Sequence, residues 1–384
     1  MLLLSLALAQ DYVVEIGAEV GLGQNGTFSR ALWTNTGWML AYGAGQDFHV
    51  APLKRTGTSL EAWALDDPNS VRLTDHGALR DHSIAQCPDG TWLHLGSSSL
   101  TTHDDSAYAF HYSADWQRLG QGVVAENVDY RSHNDMVAFC VDEFWGSTFP
   151  HDGEVRNYFV TLDATLQPMD EWEIAGWPRM TGGAMLEDGE HLWAVGFDHR
   201  PEMWVVQYDR DLNQLDRFGV EVQTDGLRSY WSQGFIKIGE VFLVAHMMRD
   251  EEGWGSNDDV GNVQLVLFDE DWQLLEKHTL TFNDHDDAGQ RPHLVWDGGD
   301  TLLMSYDRAL ELSVLHMRID PTKFFTEPAD TNPPEDTGPS DDSASDTGTP
   351  EPPEDCGCGG AGGVGLLLPH LLIWVGRRRR DGEA

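Results

Sequence analysis

A repeat of about fifty residues runs through the middle of the chain and restricts its fold more than any other feature. Between residues 10 and 325, short alternating or aromatic-rich runs are separated by Gly, Asp and Asn turns, a pattern typical of β-strands. Six units align on an arginine, and their starts lie 50, 51, 48, 49 and 63 residues apart, at Arg30, Arg80, Arg131, Arg179, Arg228 and Arg291. This period is typical of the four-stranded blades of a β-propeller.

We therefore predict an all-β fold, a six-bladed β-propeller over residues 10–325. The sixth unit has only three predicted strands, whereas residues 12–16, YVVEI, have no partner in the first unit. Pairing this N-terminal strand with the last three would close the ring and bury two sheet edges. A β-sandwich is the alternative fold, but it does not require a repeat of this length.

A second repeated feature follows in each unit, where an apolar run ends in an acidic turn. Examples are YFVTLDATLQPM from Tyr158, WVVQYDRDLNQL from Trp204 and VQLVLFDEDWQLL from Val263. We expect most tryptophans of the second strands to pack between blades, namely Trp38, Trp92, Trp145 and Trp193.

The repeated arginines predict a functional end of the ring, because the starts of the innermost strands of a propeller meet around the central channel. Guanidinium groups bind carboxylates and phosphates through paired hydrogen bonds, so we predict an anionic ligand there. The expected ligand-binding residues are Arg80, His82, Arg131, His133, Arg179, Arg228, Trp231, Trp254, Arg291 and His293. Trp254, in an insertion of the fifth unit, is expected to stack on a sugar ring. The alternative is that each arginine pairs with an acidic turn of a neighbouring blade.

Two further hypotheses concern metals and cysteines. The DHDD loop supplies carboxylates suited to Ca²⁺, from Asp284, Asp286 and Asp287, although a solvated surface loop would have the same composition. His82, His133 and His293 would suit a transition metal if they converge. Cys87 and Cys140 occupy the same repeat position in adjacent units, so a disulfide is one reading and two separate buried thiols are the other.

An enzymatic reading competes with simple binding. A glycoside hydrolase or lyase needs two acids across the channel, and Asp81 with Asp135 are the paired candidates. A sialidase-like enzyme would use the arginines with Tyr230 as nucleophile. The segment CPDGTW from Cys87 only partly matches a sialidase Asp-box, and the absence of the full motif favours binding without catalysis.

The charge of the chain limits its partners. The 384 residues include 24 Lys and Arg against 64 Asp and Glu, a net charge of −40. Nucleic acid and anionic bilayers bind proteins through basic surfaces that displace counterions. We therefore expect no nucleic-acid partner.

Both ends of the sequence indicate export. Residues 1–9, MLLLSLALA, have the apolar run and small-x-small ending of a signal peptide, with a buried N-terminal strand as the alternative. Residues 326–355 form a linker rich in Pro, Asp, Glu and Thr, which we predict to be disordered and extended. Residues 356–384 contain Cys356 and Cys358, an apolar stretch with LLLPHLLIWVG, and four arginines. The eighteen residues 359–376, which contain this stretch, would span about 27 Å as a helix.

Taken together, the acidic spacer, the cysteines, the apolar segment and the arginine cluster resemble the MYXO-CTERM sorting signal over about residues 350–384. The resemblance implies a sorting protease that cleaves near Cys356 or Cys358 and a lipid anchor on the retained cysteine. A permanent transmembrane anchor is the alternative. We expect an exported protein at the cell surface or outer membrane that binds an extracellular glycan, an anionic ligand or a surface protein.

Overall fold

The computed structural model describes residues 11–45, 47–73, 80–97, 106–125, 137–140, 145–150, 157–173, 183–197, 202–222, 228–249, 261–281, 289–308 and 311–325. Contacts divide the chain into two units, Met1–Asp330 and Thr331–Ala384, and every described residue lies in the first. The predicted signal peptide, linker and sorting signal, including Cys356 and Cys358, lie outside the described residues. No helix within the described ranges is long and apolar enough to cross a membrane.

The described strands fall into six antiparallel sheets. Sheet 1 contains β3 (Thr27–Thr34), β4 (Gly37–Ala44), β5 (Asp47–Arg55), β6 (Trp63–Leu65) and β7 (Val71–Arg72), and sheet 2 contains β8 (Arg80–Gln86), β9 (Trp92–Ser97), β10 (Ala107–Tyr112) and β11 (Arg118–Ala125). Sheet 3 contains β12 (Val137–Cys140), β13 (Trp145–Pro150), β14 (Asn157–Leu162) and β15 (Pro168–Glu173), and sheet 4 contains β16 (Ala184–Glu187), β17 (Leu192–Phe197), β18 (Glu202–Tyr208) and β19 (Gln214–Glu221). Sheet 5 contains β20 (Arg228–Ile238), β21 (Val241–Arg249), β22 (Gly261–Phe268) and β23 (Leu274–Thr279), and sheet 6 combines β24 (Gly289–Trp296), β25 (Thr301–Arg308) and β26 (Glu311–Ile319) with β1 (Val13–Ile16) and β2 (Val20–Asn25). Two short 3₁₀ helices cover Asp67–Asn69 and Pro321–Phe324.

The sheets have the arrangement of a β-propeller. The first strands of successive sheets contact one another in a closed cycle, in the order β3, β8, β12, β16, β20, β24 and back to β3. They are therefore the innermost strands. Among the described residues, five sheets are built wholly from consecutive strands, and sheet 6 is a composite of the two ends of the ring. The predicted number of six blades is therefore corrected: the described chain forms five self-contained blades, and the composite sheet of its two ends closes the ring.

The composite sheet is closed as the sequence predicts. Strand β1 pairs antiparallel with β26, with Val13 opposite Ile319. The carboxylate of Glu276, on the outer strand of sheet 5, accepts a 3.0 Å hydrogen bond from the amide of Tyr12. The ring of Tyr12 also packs against Phe324, with centroids 5.1 Å apart. The two ends of the ring are thus fixed to each other and to the neighbouring sheet.

The hydrophobic core lies between the sheets. Each of the six clusters of buried apolar side chains found among the described residues draws on two neighbouring sheets. Trp92 and Trp193, only 2% and 8% exposed, belong to these clusters as predicted. Burial of apolar surface between sheets is the main driving force for such packing. Each sheet is therefore stabilised by its neighbours on both sides.

The acidic turns that the sequence repeats have a structural role. In sheet 4, Asp209 accepts a 2.8 Å hydrogen bond from the amide of Asn213 and places Leu212 in the left-handed region, at φ 62°. Leu212 is buried against Phe139 of sheet 3. Trp116, Leu166 and Trp272 repeat this conformation, with φ values of 68°, 63° and 58°. Each of these turns inserts an apolar side chain against the preceding sheet.

Candidate functional site

The innermost strands begin at one end of the ring, which we call the entrance end. Strands β8 and β20 begin at Arg80 and Arg228, as predicted, while Arg291 is the third residue of β24 and Arg30 the fourth of β3. Because each sheet is an antiparallel meander entered through its innermost strand, these starts lie at the same end. The turns between first and second strands and between third and fourth strands lie at the other end, which we call the hairpin end. Within the described ranges, four innermost strands therefore carry an arginine at the entrance end, namely β3, β8, β20 and β24.

The same four strands are irregular at the entrance end. Their pairing with the second strand shifts register between Thr27 and Arg30, between Arg80 and His82, between Tyr230 and Gly234, and between Gln290 and His293. A β-bulge bends the strand locally and changes the direction in which its side chains point. Phe28, Asp81, Trp231 and Arg291 lie in these bulges.

Asp307 joins two of the bulges. Its carboxylate, on β25, accepts hydrogen bonds from the amides of Phe28 and Ser29 at 2.7 and 3.1 Å. The same carboxylate forms a 3.1 Å ion pair with the guanidinium of Arg291. Arg291 lies over the ring of Phe28, 4.2 Å from its centroid. A buried side chain, 2% exposed, thus connects sheets 1 and 6 at the entrance end.

Both bulge residues held by Asp307 have strained backbones. Phe28 and Arg291 have φ values of 56° and 55°, in the left-handed region that residues with a Cβ seldom adopt. Each such residue costs roughly 1–2 kcal/mol. Strain of this kind persists only where surrounding contacts impose it, and it is concentrated at binding and catalytic sites.

Arg30 is a buried cation beside these bulges. It is 4% exposed, and its Nη2 donates a 3.2 Å hydrogen bond to the carbonyl of His82. Among the described residues, its Nε has no hydrogen-bond partner. Burial lowers the pKa of Arg30 to about 10, with Asp307 opposing the shift and Arg291 adding to it. The guanidinium remains charged at neutral pH.

The histidines of the entrance end are internal. The imidazoles of His82 and His94 contact each other, with 2.9 Å between Nδ1 and Nε2, and both stack on the ring of Phe48. Burial lowers the pKa of His94 well below its usual range, and His82 adds to the shift. Burial likewise lowers the pKa of His293, helped by the charge of Arg30. The imidazoles of His94 and His293 are therefore neutral near pH 7.

The structure revises the site predicted from the sequence. Of the predicted ligand-binding residues, His82 is buried in a stack of rings. Arg291 forms an ion pair with Asp307 of its own sheet, whereas the alternative expected an acidic turn of a neighbouring blade. For five predicted residues the structure describes the backbone without the side chain, namely Arg80, Asp81, Arg228, Tyr230 and Trp231. Others lie outside the described residues, namely Arg131, His133, Asp135, Arg179, Trp254, Asp284, Asp286 and Asp287. Within the described part of the chain, no group of three or more His, Cys, Asp or Glu side chains is arranged to hold a metal ion.

Three residues of the entrance end were not among the predicted site residues. Arg30 is the repeated arginine of the first unit, so alignment of the repeat is the signal that would have found it. Asp307 and His94 have no such signal, because their importance depends on partners in other sheets.

The hairpin end contains the disulfide. Cys87, just after β8, is bonded to Cys140 at the end of β12, 53 residues later, with 4.8 Å between their Cα atoms. The pairing considered from their repeat positions is therefore present, and it links sheets 2 and 3. A cavity of about 570 Å³ lies beside the disulfide, and its wall also includes Gln86, Phe139 and Met185. No sequence motif pointed to this cavity.

Comparison with known proteins shows the fold alone. No protein-family model and no curated protein matches the chain. A solved structure of a protein of unknown function from Dyadobacter fermentans is similar, with a TM-score of 0.59 and 10% identity over 81% of this chain and 100% of that one. A member of the DUF4221 family from Bacteroides vulgatus has a TM-score of 0.45 at 11% identity, covering 81% and 99% of the two chains. A subtype N10 neuraminidase-like protein of an influenza virus from a little yellow-shouldered bat has a TM-score of 0.43 at 11% identity, covering 79% and 98%. The likeness with a TM-score of 0.59 supports the overall fold.

Proposed function

We propose that this chain is a non-catalytic binding module, displayed at the cell surface, that holds a glycan, an anionic ligand or a surface protein at the entrance end. The observation that carries the proposal is the coincidence of four arginines and four β-bulges at the starts of the same innermost strands. Nothing in the propeller repeat requires bulges, and bulges are common next to binding sites. The proposal therefore assigns them to ligand binding.

The charge distribution supports an anionic ligand. In a chain with a net charge of −40, a repulsive background acts on every anion that approaches. Arginines gathered at one end of the ring would provide a local positive site and select ligands that carry a carboxylate or phosphate group. Trp231 and Trp254 are proposed to add a stacking surface for a sugar ring.

Display outside the cell is the second part of the proposal. It rests on the signal-like residues 1–9, the acidic linker at 326–355 and the resemblance of the last residues to a sorting signal. In expressing cells, brief treatment with an impermeant protease should remove the propeller from the surface. Replacing both Cys356 and Cys358 by Ser should leave the protein unanchored by lipid, and retention of normal surface display in that variant would contradict the sorting mechanism.

Binding to an array of neutral and acidic glycans tests the first part. We expect the purified chain to prefer acidic glycans and to lose at least tenfold in affinity when Arg80 and Arg228 are both replaced by Ala. Arg72→Ala is the matched control, because Arg72 forms an exposed ion pair with Asp47 at the edge of sheet 1. Trp254→Ala tests the stacking surface separately. Equal loss in the Arg72 control, or no binding to any acidic glycan, would reject the proposed site.

The glycosidase alternative has one observation in its favour, since Asp81 lies in a bulge at the entrance end. A hydrolase or lyase would release a shorter sugar from the bound glycan, and Asp81→Asn or Asp135→Asn would abolish release without abolishing binding. Tyr230→Phe would have the same effect in a sialidase-like enzyme. A binding module releases no product in any of these proteins.

A further inference from the structure

We infer that a small oxyanion, the carboxylate or phosphate group of a ligand, binds beside Arg30 at the junction of β3 and β24. The inference rests on the proposed binding function and names the chemistry of its deepest contact. Arg30 aligns with the repeated arginines, but it was not among the predicted ligand-binding residues.

Three buried polar atoms of β3 and β24 have no hydrogen-bond partner within the described part of the chain. They are the hydroxyl of Ser29, Nε of Arg30 and Nδ1 of His293. Ser29 and Arg30 are adjacent on β3, which contacts β24, and the His293 imidazole of β24 is hydrogen-bonded to the backbone of Ala31. Ser29 and Arg30 are only 1% and 4% exposed. Buried polar atoms in folded proteins nearly always have a partner, so these three atoms require either water or a ligand.

The charges around Arg30 also favour an anion. Arg30 lies within electrostatic reach of the Asp307 carboxylate and of a second cation, Arg291. The carboxylate is already shared by two backbone amides and Arg291. A buried guanidinium is costly unless an anion neutralises it, and an oxyanion accepts several N–H and O–H donors at once. A water molecule would satisfy the hydrogen bonds but add no negative charge beside the two cations Arg30 and Arg291, which share the single carboxylate of Asp307.

The strained backbone lies at the same junction. Ser29 follows Phe28 and His293 lies two residues after Arg291, the two left-handed bulge residues. Straightening either bulge would change the direction of these side chains. The strain is thus located where it positions the proposed anion contacts.

The test uses the full chain and two defined probes, sodium phosphate and sodium acetate, at constant ionic strength maintained with sodium chloride. We expect at least one probe at 50 mM to raise the melting temperature by about 2 °C, the shift for a dissociation constant near 5 mM. A shift with acetate alone would indicate a carboxylate ligand, and one with phosphate alone a phosphorylated ligand. No shift beyond sodium chloride, as expected if only water fills the junction, would overturn the inference.

Variants localise the effect. Arg30→Met should abolish the shift, whereas Arg72→Met should retain it. Ser29→Ala removes an unpartnered hydroxyl without moving a charge, and we expect calorimetry to give three- to tenfold weaker binding of the active probe. If Arg30→Met does not fold, the affinity of Ser29→Ala for the active probe decides the test. An affinity equal to that of the original chain overturns the inference. The glycan array separates this result from the proposed function. If the small probes have no effect and Ser29→Ala still binds acidic glycans, only the site beside Arg30 is rejected.

Discussion

The two ends of the ring contain the same backbone strain but hold it in different ways. At the hairpin end, Leu166 and Leu212 adopt left-handed conformations inside turns whose own Asp side chain accepts the closing amide. At the entrance end, Phe28 and Arg291 adopt them within strands, and the stabilising carboxylate of Asp307 is 279 residues away from Phe28. The hairpin-end strain is a repeated part of the fold. The entrance-end strain is specific to one junction, which is why we assign it to binding.

Asp307 provides the strongest test of this difference. Asp307→Ala would leave two buried amides and the Arg291 guanidinium without their acceptor, so we expect a loss of about 4 kcal/mol in the free energy of unfolding. The matched control is Asp300→Ala in the same sheet, at an exposed turn, with an expected change within about 0.5 kcal/mol. Equal losses in urea denaturation would mean that Asp307 does not hold the junction.

The two ends should also respond to acid in different pH ranges. Burial lowers the pKa values of His94 and His293 in the folded state, so the unfolded chain binds more protons below its histidine pKa of about 6.5. The contribution of these two histidines to the free energy of unfolding is complete above that pH and is lost as the pH falls. His246, buried in sheet 5, behaves alike, and its folded pKa of about 4 corresponds to a loss of about 3 kcal/mol by that pH.

The hairpin-end carboxylates have the opposite shift. Hydrogen bonds from Gln167 and Asn213 lower the pKa values of Asp163 and Asp209, so their contribution is present above about pH 4 and is lost below it. Urea midpoints measured from pH 8 to pH 3 should therefore fall in two stages. His94→Gln should flatten the first stage and Asp209→Asn the second. A variant that flattens the other stage would contradict the assignment.

A close contact between sheets tests how tightly the hairpin-end turns are packed. A Cβ on Gly122 would lie 2.2 Å from the carbonyl oxygen of Leu166, in the turn of the next sheet. We expect Gly122→Ala to cost about 2 kcal/mol because backbone must move. Gly120 is the matched control on the same strand, where a Cβ would lie 3.8 Å from Leu166. Similar melting temperatures for the two variants would show that the turn is loosely packed.

The smallest expected effect belongs to a single hairpin-end turn. Asp209→Ala removes the acceptor that closes the turn around Leu212, and we expect a loss of about 1 kcal/mol or less, because the side chain is exposed. Asp211→Ala, in the same turn, should be neutral in thermal unfolding. Binding to the glycan array should be unchanged in both variants, whereas Asp307→Ala should weaken it. Loss of binding in Asp209→Ala would remove the separation between the ends.

Repetition explains which parts of the structure were predictable. The period located the sheets, the starts of β8 and β20, the pairing of β1 with β26 and the common position of Cys87 and Cys140. The bulges could not be predicted, since a register shift depends on contacts between strands that are not yet placed. Nor could the role of Asp307, which follows from its position beside residues of another sheet. The sequence therefore predicted which strand starts meet. It did not predict that Arg291 forms an ion pair with Asp307 or that His82 stacks on Phe48.

The composite sheet has a consequence for the order in which the molecule is made. Sheets 1 to 5 are each formed from consecutive strands and contain mostly local pairings, so each can assemble once its own segment has been synthesised. Sheet 6 needs β1 and β26 together, so the first strand to emerge waits for the last. Until then the chain is an open arc with two unprotected edges. Ring closure can therefore take place only after the last strand, β26, has been synthesised.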